Sequence, residues 1–175
     1  NTFGTVTLKG NSTFSGANTF TNLTIDNSAI TSATSASFAG GKIQKIGTCS
    51  FKGKSATNTL TLKSTDTANW KVEFTGTKPT ENNFSYAVIE KSSSVASDGS
   101  SANDLNLNQS ASKVCEKLNG DDGTTTNNYW FDYAYTWKGT TSSDWKTASN
   151  WVYTDGSTAY SYPPYGTKLA AITID

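Results

Sequence analysis

Apolar and polar side chains alternate in short runs along most of this chain: Thr5-Val-Thr-Leu8, Leu23-Thr-Ile25, Ile43 to Ile46, Leu60-Thr-Leu62, Trp70-Lys-Val-Glu-Phe74 and Tyr86-Ala-Val-Ile89. A period of two sends successive side chains to opposite faces of a strand, so each run predicts a short β-strand with one buried face. Gly10-Asn11, Gly40-Gly41, Gly53 and Gly76 punctuate the runs where the chain must turn. The pattern directs Val6, Leu8, Leu23, Ile25, Phe38, Phe51, Leu60, Leu62, Val72, Phe74, Tyr86 and Val88 inward. Leu105-Asn-Leu107 alternates once more and predicts a further short strand. Only Ala111 to Leu118 carries a helical spacing, with Val114, Cys115 and Leu118 on one face, and there a single short helix or turn is expected.

The runs recur about every ten to twenty residues, an interval that suits either the rungs of a β-helix or the hairpins of an antiparallel β-sandwich. The abundance of Ser, Thr and Asn favours the solenoid, where stacked polar side chains form ladders. The sandwich stays open as the alternative, because antiparallel sheets with one wet face alternate in the same way. Two polar stretches, Ser92 to Asn103 and Asn119 to Asn128, read as loops leaving the wall.

From Tyr129 the character changes, and more than half of the Phe, Tyr and Trp residues lie between Tyr129 and Tyr165. At the centre stands Trp137-Lys-Gly-Thr-Thr-Ser-Ser-Asp-Trp145-Lys-Thr-Ala-Ser-Asn-Trp151, the pattern W-x-G-x-x-S-x-D-W-x-x-A-x-N-W. This motif resembles the opening segment of repeats in large bacterial surface proteins, spirochaete adhesins among them, with a right-handed parallel β-helix fold. Thr19-Phe-Thr-Asn-Leu-Thr-Ile25, Leu60-Thr-Leu-Lys-Ser64 and Asn127-Asn-Tyr-Trp130 are similar to the strand and closing signatures of the same repeats, so the resemblance spans most of the chain. It implies a β-helix body over residues 1–132 and an aromatic-rich segment over residues 133–175 that opens the next repeat. The Pro/Gly turn at Tyr160 to Gly166 would lead into a new strand at Ala170 to Ile174. It further implies that Trp137, Gly139, Asp144, Trp145, Asn150 and Trp151 are framework residues where repeat units meet, with each indole N–H finding a carbonyl. The function so implied is that of a non-catalytic stalk, filament or adhesin segment, extracellular or on the bacterial cell surface. Its partners would be adjacent copies of itself or neighbouring repeats, together with a host or matrix glycan or protein.

Composition narrows the chemistry. Lys and Asp+Glu balance at 14 each, leaving no net field to attract nucleic acid or an anionic membrane. Every basic residue is Lys, so the bidentate Arg fork is missing, and without His there is no imidazole base, Ser/His/Asp triad or His-ligated zinc. No apolar run is long enough to span a bilayer, and no basic-plus-apolar leader opens the chain. The absence of Met makes a processed or excised piece the expectation for residue 1. Cys49 and Cys115 lack CxxC spacing and cannot close a zinc site without His, which leaves a disulfide or two buried thiols. In an exported protein a Cys49–Cys115 disulfide is the expectation.

Three functional alternatives compete with a structural role. Exposed Trp145, Trp151, Tyr160, Tyr162 and Tyr165 would stack on sugar rings and make a carbohydrate-binding module, the three tyrosines being the freest glycan-binding candidates. Asn119, Asp121 and Asp122, or Asp98 and Asp104, offer oxygens to calcium but lack the order of a known loop, so no metal site is assigned. Polysaccharide cleavage needs clustered carboxylates or a basic residue beside them, and only Lys117 near Asp121 comes close, so no catalytic residue and no cofactor is assigned.

Overall fold

The computed structural model describes residues 1–96, 105–116, 130–160, 162–163 and 169–174, the last six and residues 132–134 as backbone. It is a parallel β-helix of about four turns, as the abundance of Ser, Thr and Asn and the resemblance led one to expect, and the antiparallel sandwich is excluded for the body. The first turn carries β1 (Thr2–Leu8) and β2 (Ser12–Phe14), the second β3 (Asn18–Asp26) and β4 (Thr34–Phe38), the third β5 (Ile43–Lys52) and β6 (Leu60–Ser64). In the fourth turn β7 (Trp70–Phe74), β8 (Phe84–Ser85) and β9 (Ala87–Ile89) are separated by a 3-10 turn at Glu81–Asn83. Then follow β10 (Ser92–Ser94), β11 (Leu107–Asn108), β12 (Val114–Glu116), β13 (Phe131–Trp137), β14 (Trp151–Tyr153) and β15 (Leu169–Ile174). One wall runs β1-β3-β5-β7-β10 and the other β2-β4-β6-β9-β12, all pairs parallel.

Parallel stacking in register turns each inward position into a column. Leu8 lies against Ile25, Ile25 against Phe51 and Phe51 against Phe84; Leu60 lies against Ala87 and Ala87 against Val114. Phe14 stacks on Phe38 at 4.8 Å between ring centroids and Phe38 on Trp70 at 4.4 Å. Offset aromatic contacts of this kind add roughly 0.5–1.5 kcal/mol each beyond area burial. Polar residues inside the tube follow the same rule: Asn1 Nδ2 donates to Asn18 Oδ1, and Asn18 Nδ2 donates to Gln44 Oε1 at 2.9 Å. Gln44 is fully buried, and its Nε2 finishes the ladder on the Gly16 carbonyl. Asn27, also buried, ties one turn to the next by accepting from Gly10 N–H and donating to Thr34 Oγ1.

The longest strands bend round a corner. In β3 both Phe20 and Leu23 are buried, a spacing of three that breaks the alternation at Thr21 and Asn22, and β5 repeats it with Ile46 and Cys49. Register skips the same position in both pairings, so Gly4, Thr21 and Gly47 form a corner column. There is no room for a side chain deeper in it: a Cβ on Gly47 would collide with the Thr21 carbonyl oxygen, and one on Gly76 would lie 2.6 Å from the Gly47 oxygen. Outside the wall the rows are polar. Asn22 Nδ2 donates to Thr5 Oγ1, Thr48 Oγ1 donates to Asn22 Oδ1, and Lys45 pairs with Glu73 at 3.1 Å.

Ten of the twelve inward assignments hold, with Val6, Leu8 and Phe74 only half-buried, and two fail for one reason. Tyr86 adopts φ +45, a left-handed corner between β8 and β9, which turns Ala87 and Ile89 inward beside Leu60 and Leu62 and sends Val88 outward. Val88 is nonetheless buried, in register with Cys115, which is also buried. Within residues 111–118, where a single short helix or turn is expected, the chain makes a turn and then enters β12, with Leu118 outside the described residues. Leu105-Asn-Leu107 does lead into a short strand, β11. The corner column gives a direct test. Gly47→Ala should cost about 2 kcal/mol from overpacking, whereas Gly4→Ala, with open space around its Cβ, should change stability by less than about 0.5 kcal/mol; urea unfolding of the two variants measures the difference.

Candidate functional site

The tryptophan motif folds into one compact unit. β13 pairs antiparallel with β14, setting Trp137 opposite Trp151, and the loop between them brings Trp145 back onto both. Trp137 and Trp145 stack at 6.1 Å and 16°, and Trp151 meets each edge-on, at 4.9 and 4.4 Å. Trp151 is fully buried, while Trp137 and Trp145 are half-buried. Gly139 is required here, since its φ is +61 and a Cβ would sit 2.8 Å from Trp137 Nε1.

Asn150 holds the loop. Fully buried at the end of a 3-10 turn (Ala148–Asn150), it accepts with Oδ1 from the Thr141 and Ser142 N–H groups. Its Nδ2 donates to the Ser142 carbonyl at 2.8 Å, to Ser142 Oγ and to the Asp144 carbonyl. Asp144 closes its own turn by accepting from Lys146 N–H. Among the three motif indoles the N–H of Trp151 donates to the Trp145 carbonyl at 2.9 Å, as expected, but Trp145 Nε1 is buried without a hydrogen-bond partner. The expectation that each indole finds a carbonyl therefore fails at Trp145, whose ring is committed to stacking.

This unit docks on the outside of the second wall. Gln109 Nε2 donates to Tyr135 Oη at 3.0 Å, Ala111 N–H donates to Ser157 Oγ, and Tyr160 Oη reaches the Ala56 carbonyl at 3.0 Å. Tyr153 packs its hydroxyl against the Cys115 thiol and accepts from Tyr160 N–H. Burial pushes the Tyr153 phenol well above its ordinary value. At the end of the solenoid Trp130, fully buried, meets Trp70, Phe74 and Phe84 and donates its indole N–H to Ser92 Oγ. One apolar cluster thus runs from Phe20 through Trp130 to Trp151. The division drawn between residues 132 and 133 falls inside β13.

The sugar-binding candidates are not a free platform. Tyr160 and Tyr162 are half-buried against the apolar cluster, and Tyr165 lies outside the described residues, as do the calcium candidates Asp98, Asp104, Asn119, Asp121 and Asp122 and the basic candidate Lys117. Among the described residues no three Cys, Asp or Glu side chains converge as a metal site. No helix among them is long and apolar enough to cross a membrane. No protein-family model, curated protein or solved structure matches this chain.

The Cys49–Cys115 disulfide is corrected: both cysteines are free and buried. Cys49 points into the tube from β5, beside Leu23, whereas Cys115 belongs to the other wall and points outward, beneath Tyr153. Two walls and opposite directions separate them. Burial pushes both thiols up to about 12. Because the folded chain holds these protons and the unfolded chain releases them near pH 9, their contribution to stability is complete below that pH and is lost as pH rises from about 9 to about 12. A thiol reagent at pH 8 should find no reactive cysteine in the native chain and two in denaturant. Asn150→Ala removes five hydrogen bonds at a buried site and should cost about 3 kcal/mol or more, read as a lowered Tm with a red shift of tryptophan emission.

Proposed function

We propose that the chain is a non-catalytic structural module of a secreted or cell-surface bacterial repeat protein, a stalk, filament or adhesin segment whose partners are adjacent copies. The observation that carries this reading is the use made of the aromatic motif. Trp151 is wholly interior, Trp137 and Trp145 are packed on it, and the tyrosines beside them are tied to the solenoid wall. A carbohydrate platform needs aromatic faces open to solvent, whereas these faces are spent on internal packing. The repeat resemblance of the same residues points the same way, as does the polar row of Thr5, Asn22 and Thr48 along the outside of the wall.

Removing residues 135–175 tests the reading, because it strips Tyr153 from the buried Cys115 and the Tyr135 and Ser157 contacts from Gln109 and Ala111 on the outer wall. Uncovering buried apolar side chains costs roughly 1.5–3 kcal/mol each, so the shortened chain should melt at least about 10 °C lower and bind a hydrophobic dye. The full chain should show no binding on a glycan array. A shortened chain of unchanged Tm, together with glycan binding by the full chain that Trp145→Ala abolishes, would instead make the segment an appended carbohydrate-binding module.

A further inference from the structure

We draw no further inference here: the strongest candidate, the outward face of β1, β3 and β5 on which the column Thr5, Asn22 and Thr48 runs beside the column Thr7, Thr24 and Ser50, is a stripe of small polar side chains, and nothing in the structure shows what covers it.

Discussion

A solenoid rung cannot bury its own inward side chains, so every layer depends on the next layer landing in register on it. That constraint organises this molecule. Leu8, Ile25, Phe51 and Phe84 form a continuous column only because β1, β3, β5 and β8 share a register, and a slip of one residue would send every apolar side chain to the solvent face. Polar ladders lock the register where apolar columns would tolerate sliding. Asn18 can reach Gln44 in one alignment, and a slipped neighbour would leave the Gln44 amide buried without these partners, at roughly 1–3 kcal/mol.

The same constraint explains why the tryptophan motif lies where it does. A stack of rungs ends with an apolar layer exposed, and something must cover it. Here Trp130 fills the end of the tube, and the β13–β14 hairpin lies over the outer wall where Val88 and Cys115 replace the polar residues of earlier turns. Asn150 and Gly139 are then the price of folding a loop tightly enough to set three indoles together. The motif reads as the outside half of one continuous core.

The body of the fold was legible because its outer face is wet: wherever Thr, Ser or Lys alternates with Leu, Ile or Phe, the period of two survives into the sequence. It vanished where tertiary cover makes both faces apolar. Val114-Cys115-Glu116 has Val114 inward and Cys115 outward but covered, so it imitated a helical face. Tyr86 and Val88 were misassigned because a non-glycine left-handed corner at Tyr86 shifts the phase, and nothing in a tyrosine announces that conformation. The interior amide ladder went unread although it has a signal, the recurrence of Asn-Thr-Phe at Asn1 and Asn18. For the candidate site, the spacing of the three tryptophans marks a fixed unit and the resemblance implies its framework residues, whereas the disulfide failed because sequence separation says nothing about which wall a cysteine occupies or which way it faces.

The central claim is that the aromatic segment and the β-helix share one core and open together. Native-state hydrogen exchange tests it most directly. The amides of Tyr153 and Ala159, bonded to the Ser157 and Trp151 carbonyls within the aromatic segment, should exchange with the same opening free energy as those of Leu60 and Trp70 in the solenoid, bonded to Tyr86 and Lys91. Exchange of Tyr153 and Ala159 through a separate opening several kcal/mol less costly, with Leu60 and Trp70 still protected, would contradict it.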